Sequence, residues 1–380
     1  MPISNRKQRK PYPDFPLTAH RNGQWCKKIR GKLHYFGTDA DAALRQYLNQ
    51  RDDLQAGRQP RTTTGAALRD LVNHYLTAAS RRRDAGELSA LSFRDYKWTA
   101  EQMIGEFGAT VDPEQIRPLE FGRFRTKLAK KYASSRVAKT VTVCRMIFRW
   151  GYESEILDKL PRFGPDFKAT TKRAQRISKA ANGPKFLANQ TIQKLLEHAD
   201  PNFKTMILLG INAGFGNTDI ANLKQSMLSL DDGWVLFPRP KTGVERKVPL
   251  WNETVSALRE TISKRPDPVA PELHEDKVFL TSRGRPLVVV RSDGGRIDKI
   301  TIRFRKLLKR CDAYRRQMGF YWLRHSFQTV ADEARDPVAT SSIMGHVDAS
   351  MAGQYREAIS DKRLRRVTDH VHDWLFEKSQ

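Results

Sequence analysis

Apolar and polar positions change their period several times along the chain, and each change marks an element. Near the start, "LTAHRNGQWCKKIRGKLHYFG" is broken into short β-type runs by Asn-Gly and Arg-Gly turn signals. That pattern predicts a three-stranded meander. Behind Asp39, a natural N-cap, the period lengthens and puts Ala42, Leu44, Tyr47 and Leu48 on one helical face. After "QPRTTT" a helical region begins with the stripe Leu68, Leu71, Val72, Tyr75 and Leu76. It continues through "SFRDYKWTAEQMIGEFG", stopped by Gly105 or Gly108, and then through "RPLEFGRFRTKLAKKYA". A last helix has Val137, Val141, Cys144, Phe148 and Tyr152 facing inward. Residues 165–185 are polar and poor in large apolar groups, which predicts a linker. From residue 186 the pattern is mostly helical, with "GWVLFPRPKTGVERKVPL" predicting a hairpin around a Lys-Thr-Gly turn.

The expected architecture is therefore multidomain and mainly α with small β elements. A small basic sheet plus helix occupies 1–60, a helical unit 61–164, a linker 165–185, and a mixed α/β unit 186–380. A length of 380 residues allows each a core of its own.

Charge narrows the function. Lys and Arg number 68 against 42 Asp and Glu, a formal net charge of +26. Such an excess calls for a polyanionic partner, and double-stranded DNA fits best, since each neutralised phosphate releases counterions. No apolar run is long enough to predict a membrane partner, and "MPISNRKQRKPYPDFP" lacks the apolar stretch of a secretory signal, so a cytoplasmic location is expected, nucleoid-associated in a bacterial cell. Cys26, Cys144 and Cys311 have no metal-ligand spacing and read as reduced thiols. Two basic groups are candidate DNA contacts. Lys27, Lys28 and Arg30 lie on the small sheet with Arg21 and Lys32 nearby. Lys139, Thr142, Arg145 and Arg149 share one helical face with no acid among them, as a phosphate-binding face requires.

Chemistry concentrates in the last unit. "SSIMGHVDASMAGQYRE" separates His346 from Tyr355 by nine positions. "FYWLRHSFQTV" carries Arg324, and "RPKTGVERKVPL" carries Lys241 at the hairpin turn. Singly, each has a bland reading: a capping histidine, a packed tyrosine, a structural arginine, a solvated lysine. In this order and spacing they resemble the tyrosine recombinase (phage integrase) family. The resemblance spans about residues 186–380, and the two preceding units fit the family's core-binding and arm-binding domains more loosely.

The resemblance implies metal-free, cofactor-free cleavage of a DNA phosphodiester. Tyr355 would be the nucleophile and would become a 3′-phosphotyrosine, which conserves the bond energy so that religation needs no ATP. Arg324 would neutralise phosphate oxygens as a planar fork, and His346 would donate a hydrogen bond to the same group. Lys241 would protonate the leaving 5′ oxygen. Family members act as dimers to tetramers on DNA, and "DKRLRRVTDHVHDWLF" resembles the tail helix they dock on a neighbouring protomer.

Two positions depart from the pattern. Tyr321 stands at the family's histidine, and Gly216 in "NAGFGNTDIANL" stands at its first arginine, with Asp219 at the acidic position. Loss of an arginine from a transferring phosphoryl group costs ~10³–10⁵ in rate. Two functions thus compete: an active recombinase, or a catalytically impaired DNA-binding protein on the same fold. Two readings of Gly216 stand side by side: backbone amides near Gly216, with the Asn217 side chain, bind phosphate at a helix start, or Gly216 is a plain helix-start glycine and the site is weakened.

Overall fold

The period-two stretch near the start forms an antiparallel sheet, Thr18–Ala19, Trp25–Ile29 and Lys32–Tyr35, paired in chain order. Helix Ala40–Gln55 packs on it, and Asp39 caps the helix by accepting the Ala42 amide at 2.8 Å. The buried face of this helix runs through Ala43, Tyr47 and Leu54, not Ala42 and Leu48, and Leu48 is half exposed. Phe15 and Trp25 close the small core from the sheet side.

The computed structural model describes residues 9–57, 66–240, 243–291, 294–348 and 350–377. Among these the chain divides into two compact units, with the boundary at residues 178–179.

The first unit also holds four helices, Leu68–Asp84, Ala90–Phe107, Pro118–Lys131 and Ser134–Glu153. The second ends at Gly108. Their core contains Leu68, Leu71, Val72, Tyr75, Val137, Val141, Cys144 and Phe148, with Leu76 partly buried. Tyr152 is turned outward, 46% exposed. Part of the stretch expected as a linker belongs to this core: Phe167 is fully buried, and Arg145 and Arg125 donate to the Phe167 and Lys168 carbonyls. Residues Lys172–Ala181 form a helix.

The second unit is built around helix Pro201–Asn212, most of whose residues are buried. Against it pack helices Asn252–Ser263, Asn189–His198 and Tyr321–Ala331. The predicted hairpin is present, with Trp234–Leu236 antiparallel to Lys247–Pro249 and Val235 opposite Val248. A second hairpin, Val288–Val290 with Arg296–Asp298, leads into helix Lys299–Arg310. The C-terminal helix Asp361–Phe376 is seated on its own chain: Leu364, Val367, Val371 and Leu375 are buried in this core. Trp251 donates to the Thr368 carbonyl at 3.0 Å, and Asp336 is gripped by Arg363 and Arg366. In this single chain the helix expected to dock on a neighbouring protomer is seated on its own core. Its apolar stripe is consumed in cis.

Candidate active site

Arg324 is the hub. It lies on helix Tyr321–Ala331, on the side packed against Pro201–Asn212, and is only 2% exposed. Its Nη1 donates to the Gly214 carbonyl at 2.6 Å and its Nη2 to the Met344 carbonyl at 2.5 Å. Nη2 also lies 3.3 Å from His346 Nε2. A guanidinium only donates, so this contact makes Nε2 the acceptor and assigns the proton of the neutral ring to Nδ1. His346 thus presents an N–H as well as accepting one. Partial burial, then the charges of Arg324 and Arg239, hold the His346 pKa below its ordinary value, and the ring is neutral at pH 7.

The turn before His346 depends on Gly345. Its φ is +61°, and a Cβ there would meet Arg246 Cδ at 2.6 Å and Arg239 Cδ at 2.9 Å. Glycine lets the turn settle directly onto these two arginines of hairpin 234–249. Arg239 Nη1 donates to the Gly345 carbonyl at 3.1 Å, next along the chain from the carbonyl that Arg324 holds. Arg246 is fully buried between Phe215 and Phe237, with ring centroids 4.6 and 4.9 Å from its guanidinium. Its Nη2 is 3.3 Å from Asp219 Oδ1, close enough to pair charges. The angle is poor, however, and neither terminal nitrogen makes a hydrogen bond among the described residues. Burial pushes its pKa down to about 10 against the pull of Asp219, so it remains charged. Three guanidiniums and an imidazole therefore share one site with Asp219 as the paired carboxylate.

Gly216 caps the six-residue helix Asn217–Asn222. Its N–H is taken by Asp219 Oδ2 at 2.9 Å. The Asn217 side-chain amide is spent on both Asp298 oxygens and on Thr301. Of the donors expected to compensate at this helix start, the Gly216 amide and the Asn217 side-chain amide are therefore already engaged. The space an arginine side chain would leave from is occupied by Tyr321, whose ring carbons Cδ2 and Cε2 lie 3.0 Å from the position of a Cβ on Gly216.

Tyr355 closes the four-residue helix Met351–Gln354 and is 78% exposed. The turn between His346 and Tyr355 is tied by Asp348, which accepts from the Ser350 hydroxyl at 2.6 Å and from Arg356 Nη1 at 2.8 Å. These bonds hold the Asp348 pKa down to about 2. Lys241 lies outside the described residues.

The more remote candidates fare differently. In the helical unit Asp95 enters the expected phosphate face and pairs with Arg136 and Lys139. Arg145 stacks over Phe163 and Phe167, Arg149 pairs with Glu153, and the Thr142 hydroxyl donates to the Ala138 carbonyl. On the small sheet Lys27 donates to the Pro16 carbonyl and Arg30 reaches the Gln55 carbonyl, whereas Lys28 is exposed.

Sequence reading passed over Arg239 and Arg246 although strand periodicity marks them. Val235, Phe237 and Arg239 alternate on one strand, and Leu250, Val248 and Arg246 on its partner, so each arginine extends an inward-facing apolar row. The Phe237 amide bonds to the Arg246 carbonyl, and the Arg239 amide to the Val244 carbonyl, continuing the ladder that aims both.

Residues 185–361 match the phage integrase family model. That stretch is a phage integrase domain, and the chain as a whole is similar to the tyrosine recombinases. A tyrosine recombinase XerD of Ralstonia nicotianae is 24% identical over 286 residues, covering 73% of this chain and 86% of its own. A lambda integrase, solved as a dimer bound to a COC′ core site, superposes with a TM-score of 0.57 at 15% identity, covering 92% of this chain and 96% of that one. The Tn1549 transposon integrase in complex with transposon right end DNA superposes at 0.58 with 14% identity, covering 81% and 100%. Gly216, Arg324, His346 and Tyr355 all lie within the matched residues. Among the described residues no helix is long and apolar enough to cross a membrane.

Proposed function

We propose that the chain is a cytoplasmic, site-specific DNA recombinase of the integrase type, in which Tyr355 cuts one strand at a time. One observation carries the reading: Arg324, His346 and Arg239 converge on the turn 344–346, nine residues before an exposed tyrosine. Duplex DNA is the partner that matches a net charge of +26.

In the forward step Tyr355 gives up its phenolic proton to water and its Oη attacks the phosphorus in line. The new Oη–P bond forms as the P–O5′ bond breaks. Arg324 has N–H donors left after holding its two carbonyls, and they bind non-bridging oxygens as negative charge grows there. His346 Nδ1–H donates to the same phosphate. The departing 5′ oxygen takes a proton, for which the family resemblance assigns Lys241. A 5′-hydroxyl from another strand reverses the sequence and releases Tyr355, so no bond energy is lost. Strand exchange needs more than one tyrosine, and the lambda integrase neighbours are a dimer on a core site and a tetramer on a Holliday junction. A dimer to tetramer on DNA is accordingly proposed here. The units 1–60 and 61–164 would hold DNA outside the catalytic unit, with Lys28 among the contacts.

The test is a pool of nicked duplexes with a randomised core, in which cleavage releases a short fragment and traps the covalent complex. Adduct formation without nucleotide or added metal supports the reading. Tight, salt-sensitive binding with no adduct would favour the silent DNA-binding protein instead.

A further inference from the structure

Gly216 leaves the family's first phosphate-binding guanidinium unaccounted for, and the structure shows that nothing grown from position 216 replaces it. Tyr321 fills that space, and the Gly216 amide and Asn217 side chain are engaged. The replacement must come from elsewhere in the pocket. Resting on the recombinase reading, we propose that Arg239 of hairpin 234–249 supplies this guanidinium and binds the scissile phosphate together with Arg324.

Three observations select Arg239. First, it reaches the right place: Arg239 and Arg324 hold the consecutive carbonyls of Gly345 and Met344, so their guanidiniums bracket the turn that presents His346. Second, it is available. Arg239 is partly exposed and spends one of its five N–H donors on Gly345 among the described residues. Arg246, the other new arginine, is fully buried between two phenylalanines and beside Asp219, where a phosphate cannot reach it without rebuilding the core. Third, the electrostatics fit. Arg239 depresses the pKa values of His346, Arg324 and Arg246 alike, so its charge is felt across the pocket, and Asp219 is engaged by Arg246 and the Gly216 amide. An anion entering this pocket relieves the repulsion among the cations. Arg246 acts as a positioning residue, setting the hairpin and holding Asp219.

The experiment compares wild type, Arg239→Ala, Arg239→Lys and Tyr355→Phe in the nicked-duplex assay, with duplex affinity and thermal midpoint measured in parallel. Arg239→Ala should lose ~10²-fold or more in cleavage rate, the range seen for removing a donor to a transition-state oxyanion. Its binding should change only about threefold, and Arg239→Lys should recover part of the rate, because a point charge replaces part of a fork. A substrate with a neutral methylphosphonate at the cleavage site supplies the readout that a merely structural role would not move. With one phosphate charge removed, the gap between Arg239→Ala and wild type should shrink at least ~10-fold. If Arg239→Ala cleaves at the wild-type rate while Tyr355→Phe forms no adduct, the recombinase reading stands and the role of Arg239 is wrong. If Arg239→Ala is slow on both substrates to the same degree, the residue is structural and the proposal is overturned. If wild type forms no adduct on any substrate, the recombinase reading itself fails.

Discussion

The ring of Tyr321 lies against Gly216: a Cβ at position 216 would stand 3.0 Å from both Cδ2 and Cε2. The positions of the two expected departures are therefore neighbours, and a side chain grown at 216 would press on the Tyr321 ring. Tyr321 also sits 6.0 Å from the Arg324 guanidinium, on the near side of the same pocket.

This contact predicts strong coupling between the two positions. Gly216→Arg alone should lower adduct formation, because the new side chain must displace the Tyr321 ring beside Arg324. Adding Tyr321→His frees that space, and the double variant should cleave faster than Gly216→Arg alone, with a coupling of about 0.5–3 kcal/mol expected of residues in contact. Measured rates for the two single variants and the double variant give the coupling directly. A Gly216→Arg protein that outperforms wild type by itself would show that position 216 is open and the pocket incomplete.

The pocket also predicts acid sensitivity with a defined sign. His346 faces Arg324 and Arg239, and its folded pKa lies below the ordinary value of ~6.5. On acidification the unfolded chain takes up the proton first, so stability falls as pH drops through ~6.5 and levels off once the folded ring is protonated as well. His325, facing Lys185, Lys179 and Arg324, acts with the same sign. His346→Asn keeps an acceptor for Arg324 and removes the titration. Its thermal midpoint should therefore fall less than that of wild type between about pH 7 and about pH 5. Parallel curves for the two proteins would mean that His346 does not feel the two arginines.

Helix Asp361–Phe376 predicts a stability effect where a mobile tail would give none. Leu375→Ala should cost ~2–5 kcal/mol, the range for emptying a buried leucine site. Asp336 caps helix Pro337–Ile343 and accepts from Arg363 and Arg366, which hold its pKa down to about 2. Asp336→Asn should therefore destabilise the protein at neutral pH and shrink its loss of stability as pH falls below ~4. Urea unfolding of these variants measures both effects. A chain ending at residue 360 that stays folded would contradict this role of the helix.

The order of elements was legible in the sequence, and the family resemblance singled out Arg324, His346 and Tyr355, of which the structure brings Arg324 and His346 together. A Gly-His turn followed nine residues later by a tyrosine needs no tertiary knowledge. The C-terminal helix was legible as amphipathic, but amphipathicity does not say whose core receives the stripe, and Trp251 and Asp336, far away in sequence, decide it. The face expected to bind phosphate on Ser134–Glu153 gains a partner that its own helix does not show. The helix itself lacks an acid among those four positions, and Asp95 arrives from another helix. The arginine pair 239 and 246 was hidden behind Lys241, the residue the family pattern directs attention to. Strand periodicity marks both, and the ladder, with Phe237 opposite Arg246, aims them at the turn of Gly345.

In the proposed reaction Tyr355 becomes bonded to DNA, and peptide mapping of the trapped complex tests that most directly. Digestion of the adduct formed on the nicked-duplex pool should yield one nucleotide-bearing peptide, containing Tyr355 joined to a 3′-phosphate, and Tyr355→Phe should give none while binding duplex within about threefold of wild type. A covalent complex that persists in Tyr355→Phe, or that maps to Tyr321 or Tyr314, would contradict the account.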